Sequence, residues 1–221
     1  KAYTDTPGLP VAHYDFTDIE SSDLTVLIAS DPTEELPILD LRIKKAVTRL
    51  NRNLLVLNDQ KTLMDKYASL SLRYNVGSDE VVLGGLAKAV AEGLKQDGAP
   101  KVDNLKKASG IKVDAMRDFA GKMISAKKVC VVYNPAALSG NSVAIVKNLL
   151  SILNKNPEGE CGAIPAAPAT NALGAMDMGI LPDFYPGGIS LNDDSKIKEI
   201  WGESAPTEKG FTTCEMFEKA A

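Results

Sequence analysis

The sequence predicts an α/β fold in which a parallel sheet carries helices on both faces. Short, nearly continuous apolar runs recur at Leu24–Ala29, Leu54–Leu57 and Val129–Tyr133, the pattern of strands buried on both sides. Polar loops and stretches with apolar residues at helical spacing follow them, the alternation that builds βαβ units. No repeat of fixed period is present, which argues against a solenoid.

Residues 1–17 hold Pro7 and Pro10 and show no periodicity, so they read as an incoming segment. After the first strand, Ser30-Asp31-Pro32-Thr33-Glu34-Glu35 supplies a turn and a helix start, with acids suited to the positive end of the helix dipole. That helix is expected to turn Ile38, Leu41, Ala46 and Val47 inward. Asn58 to Lys61 forms the loop after the second strand, followed by a short helix over Leu63–Tyr67 and a third strand over Ser69–Tyr74. Gly77-Ser78-Asp79 opens a long helix with Val82, Leu83, Leu86, Val90 and Leu94 on one side, and Ser78 is placed to cap it. Gln96 to Pro100 reads as a loop, with helices near Asn104–Ala108 and Asp114–Ser125. The fourth strand, a loop from Asn134 to Asn141, a helix over Ser142–Leu153 and a weaker strand near Cys161–Ile164 complete the pattern. The arrangement is Rossmann-like, with right-handed crossovers as the default. From Pro165 on, prolines and glycines make the chain irregular. The expected division is an incoming segment 1–17, an α/β domain 18–190 and an irregular tail 191–221 that ends in a truncated helix.

At 221 residues with 44% hydrophobic and 24% charged residues, the chain has enough apolar surface for a core without disulfides or a metal staple. A net charge of −4 and 5% aromatics argue against a nucleic-acid partner. The longest apolar run is too short to cross a bilayer, so no direct membrane insertion is expected. With one histidine, His13, and three scattered cysteines, Cys130, Cys161 and Cys214, no metal site and no Ser/His/Asp or Cys/His catalytic set is expected. Cys130 and Cys161 read as buried strand thiols. Lys1 in place of an initiator methionine and an uncapped terminal helix suggest a segment of something longer.

Open parallel sheets bind ligands beyond the carboxyl ends of their strands. The loops there are Ala29-Ser30-Asp31, Asn58-Asp59-Gln60-Lys61 and Gly77-Ser78-Asp79. They carry no Gly-x-Gly-x-x-Gly and no P-loop. Asp79 reads either as a first-turn acid that supports its helix or as an acceptor for a guanine edge. The small-residue stretch Asn171–Pro182, with Asp177, suggests a tight backbone passage whose first explanation is packing.

On these residues the chain resembles the molybdopterin oxidoreductases, a family that includes the large subunit of NADH:quinone oxidoreductase. Ala29-Ser30-Asp31-Pro32 resembles the family's Gly-Ser-Asn-Pro loop. Leu57-Asn58-Asp59-Gln60-Lys61 is similar to a strand end that usually closes in Asp-Pro-Arg. Asn75-Val76-Gly77-Ser78-Asp79 is similar to its Pro-Gly-Thr-Asp turn, and Asn171 to Gly179 to its Asn-x-x-Gly-Ala-x-Asp-Met-Gly segment. The resemblance implies a third, dinucleotide-binding-like domain in which Ser30, Asp31, Asn58, Gln60, Lys61, Gly77, Ser78 and Asp79 face a molybdopterin guanine dinucleotide in the full-length protein. Asp79 would take the guanine. Asp31 in place of asparagine and Asp59-Gln60 in place of Pro-Arg add negative charge and remove positive charge beside a pyrophosphate, which Lys61 offsets in part. That departure fits a scaffold domain of the complex I type, with no cofactor and no activity in the isolated chain. Iron–sulfur clusters would lie in other domains, and the partners would be those domains and other electron-transfer subunits. The setting would be cytoplasmic, or peripheral to a membrane within a complex. A free-standing α/β ligand-binding module without a redox role is the alternative.

Overall fold

A computed structural model describes residues 13–96, 105–138 and 141–166, together with parts of 171–220. The chain divides into two compact units, Lys1–Thr170 and Asn171–Ala221. The first contains a five-stranded sheet, built from β1 (Leu24–Ile28), β2 (Asn53–Asn58), β3 (Leu70–Arg73), β4 (Lys128–Tyr133) and β5 (Glu160–Pro165). The spatial order is β3-β2-β1-β4-β5 and every neighbouring pair is parallel. This is the doubly wound order, whose direction of winding reverses between β1 and β4.

The apolar runs form strands because both faces of the sheet are covered. All five residues of β1 are buried, and alternate residues enter two separate cores. Leu24, Val26 and Ile28 join a core with α4 (Asp79–Gly93), α6 (Val113–Ser125) and α7 (Ser142–Leu153). Leu27 faces the other way, toward α1 (Phe16–Ser21) and α3 (Pro37–Leu50) through Ile19, Leu39 and Ile43. Between these elements stand α2 (Pro32–Glu35), a 3-10 helix over Leu63–Tyr67 and α5 (Leu105–Ser109). Cys130 and Cys161 are both buried but belong to opposite cores, so they cannot meet as a disulfide. Burial pushes the Cys130 thiol up to about 12 and raises that of Cys161 as well.

The helix after the first strand departs from expectation. It is broken at Leu36, and α3 restarts at Pro37. Proline lacks the N–H that a continuous helix would need there, and the restart shifts the helical phase. Leu39, Ile43 and Ala46 are buried, whereas Ile38 and Leu41, expected inside, are 57% and 60% exposed.

In the second unit, the described residues include a two-stranded antiparallel pair, β6 (Phe184–Tyr185) and β7 (Ile189–Ser190). Among the described residues of 191–221, α8 (Asp194–Trp201) precedes the terminal helix α9 (Thr213–Ala220). Asp193 caps α8 by accepting from Lys196 N at 3.2 Å, and Gly202 ends it at φ +76°. The rings of Trp201 and Tyr185 meet edge to face, 5.0 Å apart between centroids.

Candidate functional site: the strand-end cleft

Parallel strands deliver every βα loop to one edge of the sheet. There the loops after β1 and β2, Tyr74 after β3 and Ala137 after β4 enclose a cavity of about 220 Å³. Asp31, Asn58, Gln60 and Lys61 line it, joined by Asp59, Thr62, Tyr74, Ala29 and Ala137. Ser30, Gly77, Ser78 and Asp79 stand at the same edge but are not among the residues that line this cavity.

Local chemistry fixes most of these side chains. Asp31 is the cap of α2, and its Oδ1 accepts from Thr33 N at 3.2 Å and from the Thr33 hydroxyl at 2.6 Å. Asn58 is buried and spans two loops: its Nδ2 donates to Ser30 O at 3.3 Å and its Oδ1 accepts from Asp59 N at 2.9 Å. Gly77 sits at φ +77°, a left-handed turn conformation that favours glycine. The turn it makes leads the chain into α4. Ser78 occupies the cap position, but its hydroxyl donates to Asn75 O at 2.6 Å instead of capping the helix. Asp79, 5% exposed, accepts from the Ser142 hydroxyl at 2.7 Å. Asp177 lies outside the described residues.

Tyr74 is the functional candidate that the sequence reading missed. It is 8% exposed, lines the cavity, and its hydroxyl has no hydrogen-bond partner among the described residues. Burial, and then the carboxylates of Asp59 and Asp79, raise its pKa, so the phenol stays protonated and acts as a donor. Its position directly after a strand of a parallel sheet was the available signal. Ala29 adds a strained backbone at φ +49°, on the rim at the end of β1. The mouth is net negative, with Asp31 and Asp59 against Lys61. Among the described residues no group of three or more His, Cys, Asp or Glu could hold a metal ion.

The winding order and the strand-end cleft define a doubly wound α/β domain with its crevice at the carboxyl ends of the strands. The chain belongs to the molybdopterin oxidoreductase family, whose model matches residues 5–197. It is 29% identical to the probable oxidoreductase YjgC of Bacillus subtilis, over 92% of this chain and 23% of that protein. It is 26% identical to the alpha subunit of the NADPH-Fe(3+) oxidoreductase of Geobacter sulfurreducens (90% and 26% covered), and 25% identical to a subunit of the NADH-quinone oxidoreductase of Rhizobium meliloti (89% and 24%). The chain thus spans about a quarter of the length of these relatives. Among solved structures, acetylene hydratase from Pelobacter acetylenicus has the same fold, at a TM-score of 0.54 and 15% identity over 72% of this chain and 24% of that one. No helix among the described residues is long and apolar enough to cross a membrane.

Proposed function

We propose that this chain is a scaffold domain in the large subunit of an electron-transferring oxidoreductase of the NADH:quinone oxidoreductase type. Its strand-end cleft is not a site for a guanine dinucleotide. The charge of the cleft carries this reading: two carboxylates, Asp31 and Asp59, flank the mouth against one cation, Lys61. A pyrophosphate placed there would meet net repulsion in a partly desolvated site. Asp79, the residue suited to a guanine edge, is buried and already accepts from Ser142. The residues present therefore do not fit the dinucleotide, and redox chemistry falls to other domains of the parent subunit. Partners are those domains and neighbouring electron-transfer subunits, in an assembly that is cytoplasmic or peripheral to a membrane. The relatives, about four times longer than this chain, support a domain within a larger subunit over a free-standing module.

One observation favours the second reading, a cleft that still holds cofactor: Tyr74 lines the cavity and its hydroxyl has no hydrogen-bond partner among the described residues. Calorimetry with GDP separates the two. The scaffold reading expects no saturable heat up to about 1 mM, weaker than roughly −4 kcal/mol of binding free energy. Micromolar binding that Tyr74→Phe or Lys61→Ala weakens would overturn it.

A further inference from the structure

A groove of about 990 Å³ lies at the opposite edge of the sheet, at the N-terminal ends of the strands. Leu24 and Leu55, early in β1 and β2, lie beneath it and are buried in the core. One wall is the later part of α6, and Lys127 ahead of β4 closes the rim.

The charges on this groove are unequal. Arg117, Lys122 and Lys127 are exposed along it, and Lys122 and Lys127 form no ion pair among the described residues. Among the described residues Arg117 pairs with Asp114, at 3.5 Å, and that side chain is 96% exposed. On the acidic side, Asp23 is already used: Oδ1 accepts from Arg52 at 2.9 Å and Oδ2 from Lys128 N at 3.1 Å. Asp118 is the one acid lining the groove that is left over. A single cation in a last helical turn answers the helix dipole, and Lys122 meets that need. Lys127 is then positive charge without an ion-pair partner among the described residues, on a chain whose net charge is −4.

We propose that this groove docks an acidic segment of another polypeptide. The segment would lay Asp or Glu side chains along Lys122 and Lys127, beside Arg117. Charge complementarity selects the occupant. Small ligands of open α/β sheets bind at the carboxyl ends of the strands, in enclosed and largely apolar pockets. This groove is at the other end, is open, and no aromatic residue among the described ones lines it. An extended peptide suits it better than a small molecule. Gly121 lies on the wall with no heavy atom within 4 Å of where a Cβ would stand. A side chain added there enters the groove without displacing a neighbour.

The test is fluorescence anisotropy of the 221-residue chain with a labelled peptide of alternating glutamate and leucine. Saturable binding is expected at about 0.05 M salt, weakening at about 0.5 M. The double variant Lys122→Glu/Lys127→Glu should bind at least about tenfold more weakly. Gly121→Leu should abolish binding, and Asp31→Asn at the opposite edge should change nothing. If circular dichroism shows Gly121→Leu unfolded, the charge-reversal pair decides. No saturable binding at low salt, equal binding of a lysine–leucine peptide, or binding indifferent to the charge reversal overturns the proposal. A dimer in sedimentation that the charge reversal breaks assigns the groove to a second copy, and overturns it too. None of these readouts depends on the GDP result, so this proposal and the scaffold reading fail separately.

Discussion

The Ser142 hydroxyl donates to Asp79 Oδ2 at 2.7 Å, and both residues are buried. This bond ties the first turn of α7 to the first turn of α4 across the carboxyl edge of the sheet. A residue that the family resemblance points toward a ligand is thereby engaged in holding two helices in register.

The first prediction concerns stability. Asp79→Ala strands a buried hydroxyl and should cost about 1–3 kcal/mol in urea denaturation, while Asp79→Asn, which keeps an acceptor, should cost less. If Asp79→Ala unfolds at the parent midpoint, the bond is not structural.

A second prediction concerns the edge strand β5. His13 N and Tyr14 N both donate to Ala163 O, at 2.9 and 3.2 Å, and the Tyr14 hydroxyl donates to Glu160 Oε1 at 2.6 Å. A Cβ on Gly162 would stand 2.5 Å from the Tyr14 ring, so glycine is required by close approach. Gly162→Ala should push Tyr14 off the strand, at a cost of about 1–3 kcal/mol. Combining it with Tyr14→Ala should recover part of that loss. A double variant that loses the sum of the two single effects would show the contact to be incidental.

Sheet and cleft were legible to different degrees, for physical reasons. Burial on both faces leaves an unmistakable run such as Leu54–Leu57 in a strand whose neighbours are helices, and the parallel order then places Asp31, Asn58 and Gln60 on one rim. The phase of α3 was not legible in the same way. Apolar periodicity continues through Leu36-Pro37, and only the break there decides that Leu39 and Ile43, not Ile38 and Leu41, pack inward. Helix α8 had its signals in Asp193 and Gly202, but glycines and prolines on either side masked them. The pairing of Asp79 with Ser142 joins residues 63 apart in the chain, and no local pattern encodes such a contact.

A third prediction follows from the buried thiols. Burial raises the Cys130 thiol from its ordinary 9.0 to about 12. The unfolded chain therefore releases this proton first as pH rises. With fewer protons bound in the unfolded state, stability falls with increasing pH. The contribution is complete below about pH 9 and is lost progressively toward pH 12. Cys161, shifted in the same direction by burial, adds to the same fall. Cys130→Ala should flatten the decline in a series of denaturation midpoints above about pH 8.5, and an unchanged slope would rule out this origin. In the same chain a thiol reagent should label exposed Cys214 quickly, and Cys130 and Cys161 only on unfolding.

The last prediction turns the scaffold reading into a gain of binding. If charge at the mouth is what excludes a pyrophosphate, removing that charge and adding a cation there should admit one. Asp31→Asn keeps an oxygen acceptor for Thr33 N, so α2 retains its cap. Asp59→Asn keeps the backbone N–H that donates to Asn58 Oδ1. Gln60→Arg adds a cation beside Lys61 on the cavity lining. Each carboxylate removed about 6 Å from a bound anion relieves at most roughly 2–3 kcal/mol at an effective dielectric near 20. Salt and the exposure of the rim reduce that, to about 1 kcal/mol per site. The triple variant should therefore gain roughly two to three kcal/mol in affinity for GDP, about 30- to 150-fold, seen by calorimetry at low ionic strength and fading as salt rises. The gain should be specific to the diphosphate, with guanosine binding unchanged between parent and variant. A variant that folds normally yet shows no such gain would place the obstacle in the shape of the cleft or the buried engagement of Asp79, not in the charge of its mouth.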